Sequence, residues 1–193
     1  MTPPDVAAKL LFYIYQNEPI ESYVVADIGI GTGMLTCGAI YLEARYGLEI
    51  SSFVLGIEFD EQYLLRTQKM LEEKVEGADY SLILADARNI KFNPSRLVDL
   101  VIMNPPFGTK EAGIDMVFLE LAMSMCSGNI YSMHKSSTRK FISKFCEERG
   151  YSMEVLFEVK FPLKKRFKGY HKKDVAFTEV DIILVKPNKE KTV

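Results

Sequence analysis

The residues best suited to chemistry lie near the middle of the chain, in the run Asn104-Pro105-Pro106-Phe107. Two prolines end a strand and remove backbone N–H donors, so the carbonyl groups there act only as hydrogen-bond acceptors. The side-chain oxygen of Asn104 and the carbonyl of Pro105 could each accept one N–H bond from an amine on a planar ring. Phe107 could stack on that ring once the base has left its strand. The run therefore favours methyl transfer to an exocyclic amine, and the alternative is a proline-rich turn after a buried strand.

A second run that could hold a ligand is Asp27-Ile28-Gly29-Ile30-Gly31-Thr32-Gly33, which lies between an apolar stretch and a helical pattern. Glycine suits a tight turn in which the backbone approaches a ligand without a Cβ atom in the way. A dinucleotide-binding GxGxxG fingerprint would need glycine where the chain has Met34, so the spacing is GxGxG behind an acidic residue. Alone this pattern is weak, since many strand-to-helix turns are rich in glycine for packing.

Two more acidic residues follow predicted strands. Glu58 ends the second strand, where both carboxylate oxygens could accept hydrogen bonds from a ribose diol. Asp86 follows the third strand, where a carboxylate could bind an adenine amino group. Each could instead be a helix-capping or turn residue, the commoner role of a lone acid. Together with Asp27 they place carboxylates at three successive strand ends, which predicts a ligand crevice at the carboxyl edge of the sheet.

Short apolar runs alternate with helical patterns along the chain, which is typical of a mostly parallel sheet covered by helices on both faces. The prediction is a single α/β domain over residues 1–193, Rossmann-like, with seven strands. The last two strands flank a basic stretch and should pair as an antiparallel hairpin at the end of the sheet. Predicted helices cover residues 6–15, 34–46, 60–75, 115–126 and 138–149, and predicted strands cover 23–28, 53–57, 81–85, 99–103, 129–133, 151–161 and 175–186.

Charge is distributed unevenly along the 193 residues, whose net charge is −2. Seven basic residues and no acidic ones lie between positions 160 and 173; without them, 17 basic residues face 26 acidic ones, a balance of −9. Such a stretch on an acidic body indicates an anionic partner at one place, unless it is only a solvated loop. Three separated cysteines without a CxxC pair predict no metal site and a reducing compartment, the cytoplasm or nucleus. No apolar run is long enough for a membrane span.

The glycine run, the two later acids and the Asn-Pro-Pro-Phe run together resemble a class I S-adenosylmethionine-dependent methyltransferase of the branch that modifies amino groups. Further segments resemble METTL5-type enzymes over nearly the whole chain: IDM at 114–116, YSMHKSSTR at 131–139, YHKK at 170–173 and EVD at 179–181. The resemblance implies the class I fold, S-adenosylmethionine as cofactor and transfer to N6 of one adenosine in small-subunit rRNA. It also implies a small zinc-binding activator of the Trm112 type, docked by strand addition on the third strand, which should be a sheet edge.

The resemblance also implies roles for particular residues. The predicted catalytic residues are Asn104, Pro105, Pro106 and Phe107. The predicted cofactor-binding residues are Thr2, Asp27, Gly29, Gly31, Thr32, Gly33, Met34, Glu58, Asp86, Ala87 and Asn104. The predicted RNA-binding residues are Lys135, Arg139, Lys164, Lys165, Arg166, Lys168, His171, Lys172 and Lys173. His134 is expected to be a hydrogen-bonded structural residue rather than a catalyst.

Three other functions share parts of this pattern. A protein glutamine methyltransferase or a DNA adenine methyltransferase would use the same Asn-Pro-Pro-aromatic run. Phe107 in place of tyrosine, the basic stretch and the lack of an added recognition domain weigh against both. The third is an inactive RNA-binding subunit, against which the intact Asp27, Glu58, Asp86 and Asn104 weigh. Relatives carry a segment before the Thr-x-Pro motif that this sequence lacks, which favours the inactive subunit slightly.

Overall fold

The computed structural model describes residues 1–19, 23–47, 53–74, 79–92, 97–107, 113–163 and 176–188. Helices and strands alternate through most of these ranges. The helices are α1 (Pro4–Asn17), α2 (Met34–Tyr46), α3 (Glu61–Lys74), α4 (Ile114–Met125) and α5 (Arg139–Glu147), the last preceded by a 3₁₀ turn at Ser136–Thr138. The strands are β1 (Val24–Ile28), β2 (Phe53–Glu58), β3 (Tyr80–Leu84), β4 (Val98–Met103), β5 (Cys126–Lys135), β6 (Tyr151–Leu163) and β7 (Ala176–Pro187).

All seven strands form one sheet in the order β3-β2-β1-β4-β5-β7-β6. Strands β1 to β5 run parallel to one another, and β7 lies antiparallel between β5 and β6. The strand order reverses between β1 and β4, which is where open α/β sheets form a ligand crevice. The predicted mostly parallel sheet with a terminal antiparallel hairpin is confirmed, and β3 pairs with β2 alone among the described residues.

Two hydrophobic layers cover the sheet, because alternate residues of β1 and β4 point to opposite faces. On one face Val25, Leu100 and Ile102 pack against α1 and α2, and on the other Ala26, Val101 and Met103 pack against α4. Helix α1 contributes three fully buried side chains at helical spacing, namely Leu10, Leu11 and Ile14. Each such burial contributes about 1.5–3 kcal/mol, which fixes α1 against the centre of the sheet.

Most predicted elements agree with the observed ones to within two residues, and β5 shows the largest difference. It begins at Cys126 rather than at position 129, because α4 passes directly into the strand. The intervening Ser127-Gly128 pair has low strand propensity, which hid the beginning of β5. Gly128 is required there, since a Cβ atom would lie 2.4 Å from the carbonyl oxygen of Asp99.

Nearby residues define the start of α3 and the end of α5. Asp60 caps α3, because its Oδ1 accepts the backbone N–H of Gln62 at 2.9 Å. Helix α5 ends at Glu147 with Glu148 as its C-cap, and Gly150 follows three residues after the end of the helix with a left-handed φ of 77°.

Strand β6 contains a bulge between Val155 and Phe157, where Leu156 is the extra residue. Before the bulge, Met153 and Val155 pack on the α4 face of the sheet. After the bulge, Phe157, Val159 and Phe161 pack on the α1 face.

None of the described helices combines the length and the apolar character that a membrane crossing needs.

Candidate active site

An open cavity of about 610 Å³ lies at the carboxyl ends of β1, β2, β3 and β4. Its size falls in the usual range of small-molecule sites, about 300–1,000 Å³. The predicted site residues that line it are Thr2, Asp27, Gly29, Gly31, Thr32, Met34, Glu58, Asp86, Ala87, Asn104, Pro105, Pro106 and Phe107. Gly33 lies outside the lining and has a different role. A Cβ atom on it would lie 2.8 Å from Thr67, so glycine is needed for the close approach of α2 and α3.

The glycine-rich turn after β1 is held open towards the cavity. Backbone N–H groups of Gly29 and Ile30 donate to the carbonyl of Ile57 at 2.8 and 3.1 Å, which ties the turn to β2. Gly29 has a φ of 75°, and a Cβ atom there would lie 2.6 Å from Cε1 of Phe118. At Gly31, with a φ of 53°, a Cβ atom would enter space that is almost free of protein atoms. The turn therefore leaves bare backbone beside the cavity, as a nucleoside cofactor requires.

Asp27 lies at the floor of this turn and is almost fully buried. Its Oδ2 accepts hydrogen bonds from the hydroxyl of Thr36 at 2.7 Å and from the backbone N–H of Thr36 at 3.2 Å. Burial raises the pKa of the Asp27 carboxyl to about 7, against the opposing effect of the Thr36 hydrogen bonds. A positively charged ligand group beside Asp27 would favour its ionised form.

Glu58 is held at the end of β2 by backbone N–H groups. Its Oε2 accepts from Gly31 at 2.8 Å, and its Oε1 accepts from Phe59 at 2.9 Å and from Asp60 at 3.0 Å. A carboxylate can accept about four hydrogen bonds, so about one acceptor site, on Oε2, remains for a ribose hydroxyl. The glycine turn and the carboxylate are thus fixed to each other before any ligand binds.

Asp86 follows β3 at the edge of the cavity and is paired with Arg88. The Nε of Arg88 lies 2.9 Å from both carboxylate oxygens of Asp86, and Nη2 lies 2.5 Å from Oδ2. These hydrogen bonds lower the pKa of the Asp86 carboxyl. The sequence predicted a carboxylate open to an adenine amino group, and in the structure such a group has to share Asp86 with Arg88.

The Asn-Pro-Pro-Phe run leaves the end of β4 along the cavity wall. The Nδ2 of Asn104 donates a hydrogen bond of 2.9 Å to the hydroxyl oxygen of Thr2. This hydrogen bond uses the amide nitrogen of Asn104 and does not occupy its side-chain oxygen. The ring of Phe107 lies 5.8 Å from that of Phe161, centroid to centroid, at an interplanar angle of 58°.

Some lining residues were not predicted. Phe118 of α4 contacts the glycine turn, Phe161 of β6 supports Phe107, and Phe59 and Tyr63 flank Glu58. Phe161 lies 54 positions after Phe107 in the printed sequence, and only the pairing of β6 with β7 brings the two rings together. Phe118 and Phe161 are buried, whereas Phe59 and Tyr63 are exposed, and residue type alone does not indicate that all four face the cavity.

Of the predicted RNA-binding residues, the structure describes Lys135 and Arg139. Arg139 donates to Asp181 at 2.7 and 2.8 Å and forms an ion pair of 2.9 Å with Glu158, so two carboxylates compete with phosphate for its charge. Lys135 lies partly buried at the end of β5. The others, Lys164, Lys165, Arg166, Lys168, His171, Lys172 and Lys173, lie outside the described residues.

His134 is almost fully buried and has hydrogen-bond partners on both ring nitrogens. Its Nε2 lies 2.8 Å from the hydroxyl of Ser132, and its Nδ1 lies 3.4 Å from Oδ2 of Asp115. The contact with His134 lowers the pKa of the Asp115 carboxyl. These contacts agree with the structural role expected of His134, and no cluster of metal ligands occurs in the part of the chain that is described.

Known proteins resemble this chain over almost its full length, although no protein-family model matches it. The rRNA N(6)-adenosine-methyltransferase METTL5 of Danio rerio is 36% identical over 188 residues, covering 96% of this chain and 86% of that protein. The Drosophila melanogaster enzyme Mettl5, with the same description, is 35% identical and covers 93% of this chain and 82% of its own length.

Solved structures share the fold. The crystal structure of PH1948 from Pyrococcus horikoshii, a candidate RNA methyltransferase, has a TM-score of 0.79 at 32% identity and covers 97% of this chain and 86% of that one. Magnesium protoporphyrin IX methyltransferase from Synechocystis, at 15% identity and a TM-score of 0.65, shares the fold alone and covers 95% of this chain and 79% of that one. With the nearly full-length match to the curated enzymes, the chain belongs to the METTL5 family of rRNA N(6)-adenosine methyltransferases.

Proposed function

We propose that this protein transfers the methyl group of S-adenosylmethionine to the N6 amino group of an adenosine in small-subunit ribosomal RNA. The main support is the position of Asn104, which lines the same cavity as Asp27, Glu58 and Asp86. An amide oxygen that can accept from an amine therefore lies beside a pocket with the acids and bare backbone that suit a nucleoside cofactor.

The chemistry divides between the cofactor and the chain. S-adenosylmethionine supplies a methyl group on a positively charged sulfur, so the leaving group is already activated. The side-chain oxygen of Asn104 and the carbonyl of Pro105 each accept one N–H of the adenine amine, which directs its lone pair into the cavity. Pro105 and Pro106 bring no backbone N–H that could compete for this lone pair. Positioning and electrostatics then provide most of the rate without a strong base.

The target base has to leave its stack to reach Asn104. Phe107 provides an aromatic face for it, and the ring of Phe161 packs against that of Phe107. Because Phe161 lies two residues before the end of β6, the basic stretch between β6 and β7 begins close to this point. We therefore assign the basic stretch to RNA phosphates, and expect rRNA affinity to fall steeply with salt concentration.

Each of the three acidic residues binds a different part of the cofactor. Glu58, whose position its backbone partners already fix, accepts a hydrogen bond from a ribose hydroxyl through Oε2. Asp86 accepts from the adenine amino group in place of part of its pairing with Arg88. Asp27 provides the negative charge for the positively charged end of the cofactor.

The proposed function is tested with purified protein, tritiated S-adenosylmethionine and an unmodified small-subunit rRNA transcript, alone and with a Trm112-type protein. N6-methyladenosine is expected in the digested RNA. Asn104→Ala should lower the rate by about 100-fold or more while calorimetry still detects cofactor binding. Asn17→Ala removes an exposed amide that contacts only Tyr13 of its own helix in the described hydrogen bonds, and should leave the rate unchanged. Methylation of glutamine or DNA, or no product with either sample, would contradict the proposal.

We also propose that a Trm112-type protein adds a strand to β3. The proposal is supported by the pairing of β3 with β2 alone among the described strands, which leaves its outer backbone groups for a partner. Leu84, near the end of β3, is 50% exposed and would be covered by such a partner.

Co-purification of the two proteins tests this assignment. Leu84→Lys should weaken the complex, because a charge would then be buried in the new interface. Phe141→Lys places the same charge at an exposed aromatic position on α5, at the other end of the sheet, and should leave the complex intact. Equal binding by both variants would exclude β3 as the docking edge.

A further inference from the structure

We infer that Thr2 is a positioning residue for methyl transfer: its hydroxyl accepts the amide N–H of Asn104 and so turns the Asn104 side-chain oxygen towards the acceptor amine. The inference rests on the proposed function, because it concerns the orientation of the reacting amide. It differs from the predicted role of Thr2, which was to bind the cofactor. The two roles make opposite predictions for cofactor affinity and turnover.

The contact has the geometry of a normal hydrogen bond, with 2.9 Å between Nδ2 of Asn104 and Oγ1 of Thr2. Thr2 is only 8% exposed, so water cannot easily replace it. Both residues line the cavity. The orientation matters because the two ends of an amide differ: the oxygen accepts and the NH₂ group donates. If the Asn104 amide rotated by half a turn, its NH₂ group would face the N–H groups of the substrate and could accept nothing.

The fold holds Thr2 and Asn104 in place relative to each other. Helix α1 begins two residues after Thr2 and packs its buried face on β4, the strand that ends just before Asn104. Pro3 and Pro4 restrict the backbone between Thr2 and the helix. The carbonyl of Pro3 also accepts the backbone N–H of Ala7 at 3.0 Å, which fixes the first helical turn. Helix α1 therefore completes the acceptor site as well as covering the sheet.

The kinetic test compares the wild type with Thr2→Val and Thr2→Ser on the rRNA transcript, with the Trm112-type protein present. Thr2→Val keeps the shape of the side chain but removes the acceptor, and should lower kcat by about 3- to 10-fold, as for one hydrogen bond. Thr2→Ser retains the hydroxyl and should restore most of the rate. The affinity for S-adenosylmethionine, measured by calorimetry, should change less than twofold in both variants.

A loss of cofactor affinity in Thr2→Val with unchanged kcat at saturating cofactor would overturn the inference and make Thr2 a cofactor ligand. Equal kcat in all three proteins would overturn it as well. If the wild type yields no N6-methyladenosine, the proposed function fails. The contact between Thr2 and Asn104 is then tested by its spectroscopic signature alone.

That signature is the side-chain amide of Asn104 in a ¹H–¹⁵N NMR spectrum, assigned by its loss in Asn104→Ala. The resonance of the amide hydrogen that Asn104 donates to Thr2 should shift upfield in Thr2→Val and keep its position in Thr2→Ser. Unchanged amide signals in Thr2→Val would show that Asn104 does not depend on Thr2, whatever the activity.

Discussion

The buried carboxylate of Asp27 should make the stability of the free protein depend on pH in a way that one substitution removes. Burial raises the pKa of Asp27 from 3.8 to about 7. The folded protein therefore holds this proton more tightly than the unfolded chain. The contribution to stability is complete below about pH 4 and is lost as the pH rises through about 7. Asp27→Asn cannot ionise and should not lose this contribution.

The magnitude follows from the shift in pKa. A difference of about 3 pH units corresponds to about 4 kcal/mol, at about 1.4 kcal/mol per unit. The asparagine NH₂ group has no described partner here, and its burial costs about 1–3 kcal/mol at every pH. The free energy of unfolding of Asp27→Asn relative to wild type should thus rise by about 4 kcal/mol between about pH 4 and about pH 8.

Urea unfolding of both proteins across this pH range measures the difference directly. Asp60→Asn, which removes a carboxylate from the exposed cap of α3, controls for the loss of one charge and should give a smaller dependence on pH. A difference between Asp27→Asn and wild type that stays constant with pH would refute the reasoning. It would mean that Asp27 is ionised in the free protein at neutral pH.

Three further substitutions have defined outcomes. Gly29→Ala should lower the free energy of unfolding by about 1–3 kcal/mol and weaken cofactor binding, because its Cβ atom meets Phe118 at a positive φ; thermal melts and calorimetry measure both. Tyr131→Phe removes a buried hydroxyl that donates to a carboxylate, and should cost about 1–3 kcal/mol in urea unfolding without changing methylation. Arg88→Ala frees Asp86 for the cofactor and should raise its affinity in calorimetry by up to about fivefold; a lower affinity would show that Arg88 itself binds the cofactor.

The sequence predicts the fold well because local patterns determine most of it. Apolar runs followed by glycine or acidic residues place the strand ends, and the helix from Met34 to Tyr46 agrees to the residue. The cavity-lining acids were predictable for the same reason: parallel strands bring their carboxyl ends to one edge. That Asp27, Glu58 and Asp86 lie in one site can therefore be predicted without any knowledge of tertiary contacts.

Contacts between distant parts of the chain were not predictable. Thr2 and Asn104 are 102 positions apart, and their hydrogen bond depends on how α1 docks on the sheet. The pairing of Asp86 with Arg88 is local, but nothing in the residue types indicates that Arg88 turns back to it. The two carboxylates on Arg139 come from β6 and β7, whose register a sequence pattern does not fix.

The bulge in β6 makes the length of this strand part of the active site. The bulge already absorbs Leu156, because Val155 pairs with Ile183 and Phe157 pairs with the adjacent Ile182. Deletion of Glu158, which lies between the bulge and Phe161, would instead shift the register by one, and every later residue of the strand would then exchange faces. Phe161 would leave Phe107 and the cavity for the opposite layer, although no reacting residue had changed. Substitutions beyond the bulge alter one side chain at a time, whereas one residue inserted or deleted between the bulge and Phe161 would remove Phe161 from the aromatic wall of the acceptor site.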